Sequence, residues 1–218
     1  MSLLLNVPFA EKDEAKSLGA KWNADLKKWY VADKKEYHKF IKWILGNNET
    51  IQIICDHFYI IEGVHECFKC HNKIKVIGFG IENFFNIYDP NEYGTDNPFE
   101  YCEGKIHISS MINPLPEKFK EYLSKHYNYR TGFSKTINSS YPANHCTNCN
   151  VIQGEFFLFE EVDTPFFIDS PEKAKELSLN KIKLSHDFIA DTSMGYGSED
   201  CLIKEYGKII DLNIDFGF

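Results

Sequence analysis

The chain has 218 residues, 43% of them apolar and 15% aromatic, with a formal net charge of −8. That length and apolar share suit one folded domain or two small ones and argue against a disordered chain. No apolar run approaches the length that crosses a bilayer, and the opening Met1-Ser2-Leu3-Leu4-Leu5 is too short and uncharged for a signal peptide, so a cytoplasmic protein with reduced thiols and no membrane partner is expected.

Charge is unevenly spread. Residues 1–45 hold nine Lys and six acids, giving +3, and the rest of the chain carries −11. Nucleic-acid affinity comes largely from cations that neutralise phosphates, so only the N-terminal stretch has the right sign for it. There, residues 3–9 read as a short strand ended by Pro8. Glu11 to Leu18 reads as a helix, with acids early, Lys16 late and Gly19 just past the end. Ala20-Lys21-Trp22 and Lys28-Trp29-Tyr30-Val31 flank Asn23-Ala24-Asp25 as a hairpin. Asp33 can cap a second helix running to Leu45, with Tyr37, Phe40, Ile41 and Ile44 at helical spacing and Gly46 closing it.

These residues carry a resemblance. The order Leu5-Asn6-Val7-Pro8-Phe9, Glu11-Lys12-Asp13-Glu14-Ala15-Lys16, Leu18-Gly19-Ala20-Lys21-Trp22 and Lys28-Trp29-Tyr30-Val31 resembles a small domain of unknown function. That family recurs beside conjugative-plasmid primases and other mobile-element DNA-processing proteins. It covers about a fifth of the chain and implies a domain identity, not a reaction. No primase or helicase motif accompanies it. Within it, Trp22, Trp29 and Tyr30 interleave with Lys21, Lys27 and Lys28, a pattern that suits base stacking with phosphate contacts on single-stranded nucleic acid. The competing and favoured reading is that both Trp fill the small core of the module.

Ile51 to Ile61 reads as one buried strand, with His57 as a core histidine. Next comes Cys67-Phe68-Lys69-Cys70, matched far downstream by Cys146-Thr147-Asn148-Cys149. Two CxxC turns supply four ligands for a tetrahedral structural zinc, Cys67, Cys70, Cys146 and Cys149. Each is followed by a strand-like run, Lys73 to Phe79 and Glu155 to Phe159, unlike the helix that follows a thioredoxin-type pair. An alternative is two separate metals completed by His65, His71 or His145. Cys55, Cys102 and Cys201 read as buried small hydrophobes.

Between the two pairs, residues 86–104 read as a long loop, 105–108 as a short strand, Pro116 to Tyr127 as a helix and 130–145 as a polar lead-in. Gly154 to Val162 reads as a strand, and Ser170-Pro171-Glu172 starts a helix. Tyr141-Pro142-Ala143-Asn144-His145 running through the second pair to Gly154-Glu155-Phe156-Phe157-Leu158 also resembles the zinc-binding half of uncharacterised bacterial proteins that carry the same N-terminal module.

The expected fold is α+β: a strand-helix-hairpin-helix module over 1–46, then a mainly antiparallel zinc-ribbon-like domain over 47–218, with an insertion at 80–140 and a C-terminal extension. Four thiolates leave no open position for catalysis at zinc. His186-Asp187 with Asp191-Thr192-Ser193 lacks the pattern of a nucleophile elbow, and Gly195-Tyr196-Gly197 lacks that of a phosphate loop, so no catalytic residue is assigned. The favoured function is a non-enzymatic, zinc-stabilised binding protein in a nucleic-acid or mobile-element setting. One alternative is an enzyme acting on nucleic acid through residues 86–140 or the tail, marked by a pocket around His107, His126 or His186. The other is a protein-interaction module marked by an exposed aromatic patch.

Overall fold

The computed structural model describes residues 1–45, 51–88 and 98–218. The expected boundary at 46/47, the closing role of Gly46 and the centre of the 86–104 loop lie outside the described residues.

The architecture is α+β with strands predominating. Strands β1 (Leu3–Leu5), β2 (Lys21–Asn23) and β3 (Lys28–Val31) form a small antiparallel sheet in the order β1-β3-β2. The helix Lys12–Ser17 buries Ala15 against it and ends before Gly19, whose φ of +104° suits a residue without Cβ. Asp33 caps the next segment by accepting from the Lys35 N–H. That segment is a 3-10 helix over Lys34–Phe40, and only Ile41–Ile44 is α-helical. The expectation of one α-helix fails here for a packing reason. A 3-10 helix aligns side chains three apart, and Tyr37 and Phe40 are both fully buried on that row.

The main sheet takes its strands from the whole remaining chain. They are β4 (Ile51–Ile54), β5 (His57–Glu66), β6 (Lys73–Ile81), β7 (Phe84–Ile87), β8 (Phe99–Cys102), β9 (His107–Asn113), β12 (Ser178–Lys183), β13 (Phe188–Met194) and β14 (Lys208–Asp211). The order is β14-β12-β5-β6-β9-β13-β4-β7-β8, and only the β12–β14 pair is parallel. A separate hairpin pairs β10 (Tyr129–Ser134) with β11 (Ser139–Asn144).

Both faces of the sheet are covered, which is why its strands read as unbroken apolar runs. Phe58 and Ile60 of β5 face a cluster with Phe79, Phe119 and Leu123, beneath the helix Glu117–Tyr127. Tyr59 and Ile61 face the other way, toward Val76, Leu158, Leu179 and Ile203. A third cluster joins Leu3, Leu5, Tyr37 and Phe40 of the N-terminal module to Ile51, Ile53, Ile87 and Phe99 of the sheet.

Several expectations are corrected. The run 51–61 is two strands, because Asp56 takes φ +64° and its N–H turns to the Asp187 carboxylate at 3.0 Å. The ends of the 86–104 loop are strands β7 and β8, paired Ile87 to Phe99. Residues 130–145 are largely the β10–β11 hairpin. Gly154 to Val162 is not a strand: Phe156–Glu160 forms a π-helical turn, with the Glu161 N–H reaching Phe156 O at 3.2 Å. That turn points Leu158 inward and leaves Phe156 and Phe157 half exposed. Cys55 is fully buried as expected, but Cys102 is half-buried and Cys201 exposed. On the helix Asp200–Tyr206 the inward positions belong to Asp200 and Ile203, so Cys201 faces outward.

Candidate metal centre

The two CxxC turns are built alike. In the first, the Cys67 N–H donates to Asn72 O at 3.0 Å and the His71 N–H to Cys67 O at 2.9 Å. In the second, Cys146 N–H donates to Val151 O at 2.8 Å and Asn150 N–H to Cys146 O at 2.9 Å. The residue after each second cysteine, His71 or Asn150, takes positive φ (57° and 64°). Asn and His enter that region more readily than most side chains, which explains both turns locally.

The first turn joins β5 to β6, and the second sits above the isolated bridge from His145 to Ile152. Asn144 brings them together. Its buried side-chain amide accepts from the Ile77 N–H and donates to Ile77 O, both at 2.8 Å, so it completes β6 as a neighbouring strand would. The four sulfurs of Cys67, Cys70, Cys146 and Cys149 then lie within 4.8 Å of one another, close enough to hold one metal ion. Cys67 to Cys149 is 3.7 Å and Cys70 to Cys146 is 3.6 Å. Tetrahedral zinc with bonds of about 2.3 Å places its sulfurs about 3.8 Å apart.

The surroundings favour thiolates. The Asn148 and Cys149 N–H groups each point at Cys146 Sγ at 3.4 Å, and the Gln153 amide donates to Cys67 Sγ at 3.5 Å. The Asn72 N–H, helped by the Asn148 side chain, lowers Cys70 to about 6. Cys149 is raised to about 11: the Val151 N–H favours its thiolate, but desolvation and the other three sulfurs outweigh it. Four sulfurs so close can all ionise together only around a cation.

This convergence favours one shared site over two metals completed by histidines. His145 is buried, bonded to Ala143 O at 2.9 Å, and burial lowers its pKa. His71 faces solvent beside Glu66 at 3.0 Å, and His65 stands among none of the sulfurs.

The six N-terminal residues with the stacking pattern are divided between faces. Trp22 lies opposite Trp29, and Lys21 opposite Tyr30. Strand alternation therefore sets the Trp pair on one side of the small sheet and Lys21, Lys28 and Tyr30 on the other. Lys28 bonds Asn6, and Lys27 sits at the hairpin tip with φ +51°. The Trp rings meet edge-on at 5.6 Å. Trp29 is half-buried against the module core, whereas Trp22 is 51% exposed.

Of the histidines that would mark a catalytic pocket, His126 stacks on Tyr122 and His186 bonds Ser2 at 2.9 Å. His107 bonds Asp200 at 2.6 Å, and Asp200 lines a cleft of about 650 Å³ with Ser110, Glu155, Tyr196 and Glu199. Apart from the cleft lining, the buried Glu82 accepts from Tyr59 at 2.6 Å and Lys204 at 2.5 Å and meets His57 at 2.9 Å. His57 is thus a core histidine with partners. The sequence gives no sign of this network, because its members come from strands and a helix scattered across the chain.

The comparisons with known proteins address the N-terminal module. Residues 3–44 match the domain of unknown function DUF5710, so the chain opens with a domain of that family. Two sequences named DNA primase TraC from Escherichia coli match the same region, one 50% identical over 42 residues and the other 51% over 39. These alignments cover 19% and 18% of this chain but only 3% and 4% of the primases, so the chain spans a very small part of those relatives. No solved structure matches the chain. Among the described residues, no helix is long and apolar enough to cross a membrane.

Proposed function

We propose that this is a non-enzymatic binding protein of the cytoplasm, stapled by one structural zinc and working on single-stranded nucleic acid in a mobile-element setting. What carries it is the set of four sulfurs within 4.8 Å of one another, at 3.6 and 3.7 Å for two pairs that cross between the turns. A metal held by four thiolates has no position left for water or substrate, so its work is to tie residues 67–70 to 146–149. The nucleic-acid part draws on the basic N-terminal module and its likeness to a segment of proteins named DNA primase. All three Trp residues lie in that module, at 22, 29 and 43. Titration with oligothymidylate, following Trp emission, tests it directly. Quenching that Trp22→Ala abolishes supports the reading. Unchanged emission with no binding by anisotropy contradicts it.

A second reading is favoured by the His107–Asp200 pair beside the cleft, where burial raises the Glu155 carboxyl. An acid and an oriented imidazole could serve hydrolysis of nucleic acid. Cleavage of labelled single-stranded DNA that Asp200→Asn abolishes would favour this enzyme; no cleavage would remove it.

A further inference from the structure

A groove of about 540 Å³ runs between the first CxxC turn, the β10–β11 hairpin and the π-helical turn. Phe68, Tyr141 and Phe157 line it, with Phe68 58% and Phe157 50% exposed. Among the described residues, its charged lining consists of Arg130 and Lys135, with no Asp or Glu. This is unusual in a chain with 32 acids and 24 bases, of which Arg130 is the sole arginine. The floor exists because Gly132, opposite Tyr141, has no side chain. A Cβ there would meet His145 Nε2 at 2.4 Å and Ile152 at 2.9 Å. Arg130 is held in place by Asn128 at 3.2 Å and by Asn150 of the second CxxC turn at 3.1 Å. The metal centre therefore fixes the groove on both sides, through Phe68 and through Asn150.

We propose that this groove is a second binding surface, for single-stranded nucleic acid, separate from the N-terminal module. Exposed aromatic rings offer flat faces on which bases stack, and a wall with cations and no carboxylates accepts phosphates. The inference rests on the nucleic-acid reading above but places the contacts elsewhere on the molecule. Glu155, whose charge is felt at Tyr141, is itself shifted by burial toward its neutral form.

The test uses the zinc-loaded 218-residue chain and a fluorescein-labelled oligothymidylate of about 20 nucleotides, longer than one such site requires. Anisotropy measures affinity, and Trp emission is recorded in the same cuvette. The expected result is binding that Phe157→Ala and Phe68→Ala each weaken by about five- to tenfold. Lys135→Ala should reduce the slope of log affinity against log salt by about 0.7, the value for one lost phosphate contact on a single strand. Any Trp quenching belongs to the N-terminal module, where every Trp lies, and should persist in the groove variants. Zinc content and circular dichroism of each variant confirm that the fold is kept. Binding that quenches Trp, is lost in Trp22→Ala and is unaffected by groove variants would overturn the groove while keeping the nucleic-acid reading. No binding by the wild-type chain would overturn both.

Discussion

Two long-range ties hold this molecule together, and they differ in kind. The CxxC pairs bring residues 67–70 beside 146–149, with four sulfurs close enough to hold one metal ion. The N-terminal module meets the main sheet through the apolar cluster described above and through a buried carboxylate, Asp187, which has no exposed surface. Asp187 accepts from Tyr37 OH at 2.8 Å and from the Asp56 N–H at 3.0 Å, and Lys34 Nζ lies 4.0 Å away, bridging to Asp56 at 2.7 Å. The Asp187 N–H also donates to Ser2 O at 2.9 Å. Burial, reinforced by the Asp187 charge, raises Tyr37 far above the usual phenol range, so its hydroxyl stays a donor. A sulfur site is defined by a repeated residue type at a repeated spacing. A carboxylate tie is defined only by what folds around it.

Breaking the first tie should have the largest effect. Structural zinc contributes about 10–16 kcal/mol in zinc-finger peptides, comparable with the whole stability of many domains. Cys67→Ser is expected to abolish the cooperative unfolding transition of the main sheet in chelator-free buffer. A normal melting curve for that variant would show that the sulfurs carry no such load. Breaking the second tie takes the acceptor from two donors, the Tyr37 hydroxyl and the Asp56 N–H, and Asp187→Ala should cost about 2–5 kcal/mol by urea denaturation, roughly 1–3 kcal/mol for each donor left unpaired. Tyr37→Phe, which removes one hydrogen bond to that carboxylate, should cost about 1–1.5 kcal/mol. Equal effects from the two variants would mean that Asp187 acts only through Tyr37.

The module core offers a smaller test. Trp29 is half-buried, so Trp29→Ala should cost about 2–3 kcal/mol, less than the full loss for a buried aromatic. Exposed Trp22 should cost no more than about 0.5 kcal/mol when replaced by Ala. A Trp22→Ala loss as large as that of Trp29→Ala would place both rings in the core.

A second buried carboxylate, Glu82, makes stability depend on pH. Glu82 lies well below the usual carboxylate range, chiefly through His57, with Lys204 and Tyr59 adding to that against the opposing effect of burial. A depressed folded-state pKa means stability that is fully present above the unfolded value of about 4.3 and lost as pH falls below it. Urea midpoints should therefore drop between about pH 5 and pH 3. Glu82→Gln should be less stable than wild type at neutral pH and show a shallower drop on acidification. An unchanged acid slope would assign that loss to other carboxylates.

The same contrast explains what the sequence made legible. The cysteine spacing named the four sulfurs, and the Lys-Trp and Trp-Tyr order marked a domain that the DUF5710 match covers. The helix Glu117–Tyr127 was visible from Pro116 and the spacing of Phe119 and Leu123. Asn144 gave no signal, because an asparagine that completes a strand looks like any polar residue before a turn. Phe156 to Phe159 misled, since a run of aromatics reads as a strand until one knows which rings have something to pack on. The Trp22 platform was legible as composition but not as geometry, because register decides which faces Trp and Lys share.

Whether four cysteines enclose one structural metal is decided by thiol accessibility with zinc analysis of the purified protein. One zinc per chain is expected, with prompt reaction of the exposed Cys201. Cys67, Cys70, Cys146 and Cys149 should become reactive together, as zinc is released by acid or chelator. Four thiols that react freely in a folded, metal-free protein would contradict it.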